Sequence, residues 1–300
     1  MRCFHQVVNV VMVSKKLSKP RLSSALAGRE RKLNALLEGY GQVMVAYSGG
    51  VDSTLLLHEA ASALGPGNVV AVTARSELFF LEEQQRAKEL CKRFGVQHHM
   101  LDTTPLKDAA IKRNDPERCY HCKRRLLEVC ASLAAKLKIQ TLIEASQVDD
   151  LGDYRPGARA VAEFGVKSPL KEAGLNKADV RALSRHHRLP TAELPAAACL
   201  ASRVPYGTEL DRKLLGRIAR AEAAIRKLGF RQFRLRHHGD VARLEFEKEE
   251  LEKAFRYRRS LADRVCAQGW TYVALDLTGY RQGSLNKVIG HRSGSGKKKP

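Results

Sequence analysis

The chain has 300 residues, 44% of them apolar, enough to bury a sizeable core in one large domain or two. Lys and Arg outnumber Asp and Glu by 53 to 32, and the formal charge of +21 favours polyanionic partners such as nucleotides, phosphorylated metabolites or RNA. A short apolar stretch at 7–13 is too short to span a bilayer and has no small-residue cleavage site after it, so neither a membrane span nor a secretory leader is expected there.

Residues 1–28 read as a disordered or mis-started extension, and the end, "HRSGSGKKKP", as a flexible basic tail over 291–300. From residue 29 the chain alternates short apolar runs with amphipathic ones. "QVMVAY" (42–47) predicts a strand and "TLLLHEAASAL" (54–64) a helix. After a "GPGN" turn, "VVAVTA" (69–74) predicts a second strand. The helix predicted over 81–95 closes on Gly95, a good C-cap. "VQHHMLDT" is a third strand, 122–138 a helix and "IQTLIEAS" (139–146) a fourth strand. Strands separated by helices of this length imply an α/β fold, a doubly wound parallel sheet with ligands at the carboxyl ends of its strands. The stretch 148–206 is rich in Pro and Gly, either a linker or part of an active site. From Asp211 the order changes to helix, a hairpin around "GD", one long helix and a closing strand "TYVALDL", a smaller C-terminal α+β domain. The expected domains are therefore 29–208 and 209–290.

The string "SGGVDS" stands where the first strand meets its helix. Gly49 and Gly50 let backbone N–H groups converge, the following helix adds its free N–H groups and positive dipole end, and Ser48 and Ser53 supply hydroxyls, making a nest for phosphates. Asp52 would repel phosphate unless it holds Mg²⁺ or orients the loop. No Gly-Lys-Ser/Thr ends the string, so it is not a Walker-type P-loop. The string resembles the PP-loop signature of ATP pyrophosphatases, the group of GMP, NAD and argininosuccinate synthetases and tRNA thiolation enzymes. That resemblance implies ATP cleavage between the α- and β-phosphates, adenylation of an acceptor oxygen, and adenine near Val72 and Thr73.

Seven cysteines, an odd number without a secretory signal, argue for a reducing cytoplasmic setting. Cys91, Cys130 and Cys266 fall within helical patterns as packing residues. Cys119-x-x-Cys122 lies among Arg118, Lys123, Arg124 and Arg125, which favour thiolates, and Cys199 lies far downstream in a polar loop. Zinc, a redox disulfide and a three-thiolate iron–sulfur cluster are the competing readings. His98-His99, His186-His187 and His237-His238 are adjacent pairs whose side chains point apart, so no metal role is expected of them.

Taken together, "RCYHCK", "DDLGDYRPGARA", "SPL", "ACLASRVPYGT", "RLRHHGDVARLE" and "LDLTGYRQGSLN" resemble the LarE family over roughly 29–286. One departure is Glu144-Ala145-Ser146-Gln147, where that family usually has a Gly-Thr-Asn-like stretch. The resemblance implies an ATP- and Mg²⁺-dependent sulfur transferase acting on pyridinium-3,5-biscarboxylic acid mononucleotide, for the nickel-pincer nucleotide of lactate racemase. It implies that Cys199 bears the sulfur, and that Cys119, Cys122 and Cys199 hold a 4Fe-4S cluster whose open iron carries a labile sulfide. It also implies a homo-oligomer and a downstream nickel-inserting enzyme. Arg203, four residues after Cys199, and Arg234 and Arg236, on one face of a strand, suit an anionic substrate unless they pair with Glu222 or Glu245 as surface ions; Arg155 and the pair Arg281 and Ser284 are further anion candidates. A tRNA thiolation enzyme is the alternative, disfavoured by an aromatic content of 6%, and a non-catalytic nucleotide-binding regulator would have no need of three converging cysteines.

Overall fold

The computed structural model describes residues 22–152, 156–196, 198–281 and 283. Arg155 and Ser284 lie outside the described residues.

The chain opens with a helix, α1 (Ser24–Tyr40), that begins inside the segment expected to be a disordered extension. Ser23 caps it by accepting the Leu26 N–H at 3.2 Å, and Leu26, Leu33 and Leu37 bury its inner face. Then follow β1 (Val43–Ala46), α2 (Val51–Leu64), β2 (Val69–Arg75), α3 (Leu81–Phe94) and β3 (Gln97–Asp102). Gly95 ends α3 in the left-handed conformation, as its position suggested. A short α4 (Ala109–Lys112) leads to α5 (Arg118–Leu137), which starts one turn earlier than the apolar pattern indicates. The Cys119/Cys122 pair therefore lies in the first turns of α5 rather than before it. The fourth strand shrinks to β4 (Thr141–Ile143).

The four strands are parallel in the order β3-β2-β1-β4, with Val45 opposite both Ala71 and Ile143. The chain runs outward from β1 through β2 to β3, then returns to pair β4 on the other side of β1. The carboxyl end of β1 is thus the switch point of the sheet, where open α/β sheets bind ligands. Alternation across β1 divides the core into two layers. Val43 and Val45 pack with α1 and α2, whereas Met44 packs with Val70, Val72 and Cys130 of α5.

The Pro/Gly-rich middle folds into short helices: α6 (Gly157–Glu163), α7 (Pro169–Glu172) and α8 (Lys177–His186), then a 3₁₀ turn at Leu200–Arg203. An Asn176/Asp179 capping box starts α8. The second unit begins with α9 (Arg212–Arg226), capped by Asp211. Strands β5 (Phe233–His238) and β6 (Val241–Phe246) form the expected hairpin, turning at Gly239 with φ of 63°. The long helix expected next is two, α10 (Leu251–Arg256) and α11 (Arg258–Cys266), separated at Tyr257, before β7 (Tyr272–Leu275) joins β6 in parallel. Cys91 and Cys130 are buried as expected, but Cys266 is exposed. The core of the second half also includes Leu78, Phe80, Leu200, Ala201 and Val204, so it extends across position 208 into the loops that follow β2 and precede α9.

Candidate active site

The loop at the carboxyl end of β1 is built for anions. Gly49 has φ of 73°, and a Cβ there would meet the Glu83 carbonyl at 3.0 Å and Ala87 Cβ at 3.2 Å. Only glycine combines that turn with such close approach to α3. Gly50 occupies the N-cap of α2 with no side chain bonding the helix's first N–H groups, so they remain available to a ligand. Ser48 and Ser53 meet hydroxyl to hydroxyl at 3.0 Å, and the Arg86 guanidinium donates to the Gly49 carbonyl at 3.1 Å. Thr73 is buried; its hydroxyl donates to the Tyr47 carbonyl at 2.8 Å and meets His98 Nε2 at 2.8 Å. Its side chain therefore fastens β2 to the end of β1.

Asp52 stands in the first turn of α2. Lys177, at the start of α8, reaches its Oδ2 at 2.5 Å, while Oδ1 is buried without a hydrogen-bond partner. Lys177 also places its backbone N–H on Asp149 at 2.9 Å. An unpartnered carboxylate oxygen beside a phosphate nest fits a Mg²⁺ ligand, because the cation would satisfy both the oxygen and the phosphates. The departing stretch after β4 is also tied in. Glu144 is buried and accepts from Ser146 N–H (3.0 Å), Ser168 Oγ (2.8 Å) and Lys123 Nζ (3.2 Å). Burial, the largest single influence, would raise its pKa, but Lys123 together with the hydrogen bonds from Ser146 and Ser168 holds the carboxyl below its usual range.

The cysteines converge through a buried arginine. Arg118, in the first turn of α5, lies 3.5 Å from Cys119 Sγ, bonds Asn114, and donates to the Ala201 carbonyl at 3.1 Å. It thereby joins the CxxC turn to the loop bearing Cys199. Burial opposes its charge, yet the nearby Cys199 and Cys119 sulfurs strengthen it, so its pKa is raised. Cys122 is pushed up to about 12 by burial, reinforced by the same two sulfurs. Among the described residues these thiols do not close into a group within 4.8 Å, as one tetrahedral zinc would require. Three thiols around one buried guanidinium are a donor set of the kind that holds an iron–sulfur cluster.

The Cys199 loop is gripped from the second half of the chain, and this changes the reading of the arginines. Arg203 is 2% exposed. Its Nε and NH2 meet Glu222 at 2.9 and 3.0 Å, while NH1 donates to the Ala198 carbonyl at 2.6 Å and the Cys199 carbonyl at 3.3 Å. Arg236 pairs with Glu245 at 2.9 Å and donates to the Ser202 carbonyl at 2.6 Å. Arg234 bonds the Ala196 carbonyl, stacks over Tyr280 at 5.0 Å, and is pushed down to about 10 by burial and by Arg203. The pairing with Glu222 and Glu245 does occur, but in the interior rather than as surface ions. Leu200 completes the grip by bonding the Leu78 carbonyl at 2.8 Å, beyond β2. Glu222 was legible as a signal: a lone carboxylate on α9's buried face, among Leu215, Ile218, Ala221 and Ile225. Lys177 and Asn114 carried no such signal. Arg203, Arg226, Arg234, Arg236 and Arg243 gather around Glu83, Glu222, Glu245 and Asp276, five guanidiniums to four carboxylates, with Arg203 against the Cys199 carbonyl. Arg281 is exposed.

Comparison with known proteins agrees with this geometry. Residues 32–143 match the NAD synthase family. The chain is 39% identical over 266 residues to an uncharacterised protein of Synechocystis sp., covering 87% of this chain and 98% of that protein. It is 35% identical over 266 residues to pyridinium-3,5-bisthiocarboxylic acid mononucleotide synthase of Lactiplantibacillus plantarum, covering 89% of this chain and 96% of that enzyme. An NH(3)-dependent NAD(+) synthetase of Trichlorobacter lovleyi is 37% identical over 71 residues, 24% of this chain and 26% of its own. With the PP-loop at the sheet's switch point and a relative of this similarity spanning nearly the whole chain, the protein belongs to the LarE family of the PP-loop superfamily.

Proposed function

We propose that the protein is an ATP-dependent sulfur transferase that converts a carboxylate of pyridinium-3,5-biscarboxylic acid mononucleotide into a thiocarboxylate. The observation that carries this reading is Arg118, which holds the Cys119/Cys122 turn and the Cys199 loop together beside a positive cluster. A carboxylate resists substitution because oxide is a poor leaving group. Its oxygen attacks the ATP α-phosphorus, pyrophosphate departs, and the carboxylate becomes an acyl-adenylate. The uncapped N–H groups of α2, with Ser48, Gly49, Gly50 and Ser53, hold the departing phosphates. Asp52 Oδ1 would hold a Mg²⁺ that offsets their charge.

A sulfur nucleophile then attacks the acyl carbon, and AMP leaves with the C–O bond's electron pair. A 4Fe-4S cluster on Cys119, Cys122 and Cys199 would supply that sulfur as sulfide at its open iron. If Cys199 itself attacks, the resulting thioester must lose the Cys199 α-proton and break the Cβ–S bond, leaving dehydroalanine and the thiocarboxylate. Arg203 and Arg236 position the loop that presents Cys199, and the surplus guanidinium charge around them attracts the mononucleotide phosphate.

The experiment is pyrophosphate release from ATP and Mg²⁺ under anaerobic conditions, with the mononucleotide in one vessel and total tRNA in another. Release with the mononucleotide alone supports the reading. Release with tRNA alone overturns it in favour of a tRNA-thiolating enzyme.

A further inference from the structure

A second cluster of ligating side chains lies away from the cysteines, where α1, α2 and α8 pack together. His187, just past the end of α8, points Nε2 at Glu30 Oε1 of α1 (2.7 Å) and at Glu59 Oε1 of α2 (3.0 Å). His58, next to Glu59 on α2, packs at a tilt of 50° against His187 with ring centroids 4.8 Å apart. One ligand atom from each of His58, Glu59 and His187 lies within 4.8 Å of the others.

One imidazole proton faces two carboxylate oxygens. Nε2–H makes its hydrogen bond to Glu30, while Glu59 Oε1, on a side chain only 3% exposed, has the same nitrogen as its ion-pair partner at 3.0 Å and no well-directed hydrogen bond. A buried carboxylate that must share one proton is costly. The negative end of α8 also points here, because the His187 N–H closes its last turn on the Leu183 carbonyl. Two carboxylates, two imidazoles and a helix carboxyl end all favour a cation.

We propose that His58, Glu59 and His187 form a binding site for a divalent first-row transition ion of the Zn²⁺ class, with Glu30 orienting His187. Imidazole ligands select against Mg²⁺ and Ca²⁺, and three N/O donors with a water in the fourth position suit tetrahedral Zn²⁺. The adjacency argument against chelation by His186-His187 holds for that pair, since the partners of His187 come from other helices. The ion would staple α2 to the end of α8, with α1 tied in through Glu30. Helices α2 and α8 carry Asp52 and Lys177 at their amino ends, and Glu59 lies about 10 Å along α2 from Asp52. The site is thus a structural brace behind the ATP loop rather than part of the chemistry.

The test uses tag-free, chelator-stripped full-length protein with one equivalent of Zn²⁺ as probe. Zinc-edge X-ray absorption reads the ligands, and competition with a chromophoric chelator reads affinity. The expected result is a first shell of N and O only, with affinity falling about 100-fold or more in His187→Gln and at least about 10-fold in Glu30→Gln. Sulfur in the first shell would place the ion on the cysteines and overturn the proposal. So would affinity unchanged in folded His187→Gln. If His187→Gln does not fold, His58→Gln replaces it with the same two outcomes.

Discussion

Replacing Glu222 by Gln removes the charge that neutralises Arg203 inside the protein. Both side chains are 2% exposed, the pair is bidentate, and Glu222 Oε1 also accepts the Leu235 N–H of β5 at 3.1 Å. Burial, the largest single influence, would raise the Glu222 pKa, but the charge and hydrogen bond of Arg203, with Arg234 and the Leu235 N–H, together lower it. A group with a depressed folded pKa stabilises the fold above its unfolded pKa, and that contribution disappears as pH falls through the folded value. Breaking one side of a buried pair costs about 3–5 kcal/mol, because the remaining charge stays in the interior. Glu222→Gln should lose that amount at neutral pH in urea unfolding and lose less as the pH is lowered. The double variant Arg203→Met/Glu222→Leu, which buries no lone charge, should recover at least about half of the loss. It should still fail in sulfur transfer, since no guanidinium then holds the Ala198 and Cys199 carbonyls. A cost below about 1 kcal/mol for Glu222→Gln, or full sulfur transfer by the double variant, would refute the reasoning.

Three further outcomes are expected. Gly49→Ala, strained at φ of 73° and pressed on the Glu83 carbonyl, should destabilise by about 1–2 kcal/mol and reduce the thermal shift produced by ATP. Asp52→Asn keeps an oxygen for Lys177 but removes charge from the phosphate nest; titration of pyrophosphate release should show a Mg²⁺ requirement raised about 10-fold or more. Cys122→Ala should abolish bound iron after anaerobic reconstitution, measured by metal analysis, and the same variant retaining full iron and full turnover would exclude the three-thiolate cluster.

The parallel sheet and its glycine loop were legible because they rest on local rules. Apolar runs bounded by helices set the strands, and only a glycine fits position 49 in the turn before α2. The beginning of α1 was missed although Leu26, Leu33 and Leu37 fall at helical spacing, because the residues before 29 were read with the extension that precedes them. Period two correctly placed Arg234 and Arg236 on one face of β5, but it could not show what that face packs against. The face meets the Cys199 loop, so the guanidiniums are spent on its carbonyls. Likewise the spacing of Cys119, Cys122 and Cys199 carries no information on Arg118, whose two contacts join elements 83 residues apart. Long-range contacts of this kind are fixed by tertiary packing, not by local pattern.

The most direct measurement is mass spectrometry of the mononucleotide and of the protein after anaerobic incubation with ATP, Mg²⁺ and excess inorganic sulfide, which replaces the sulfur lost in each transfer. The account predicts a product with one oxygen replaced by sulfur, formed only with ATP, in more than one equivalent per chain and with Cys199 intact. A single equivalent with Cys199 converted to dehydroalanine would move the sulfur source to that residue. An unaltered mononucleotide, from protein that retains its iron and binds ATP, would contradict the account itself.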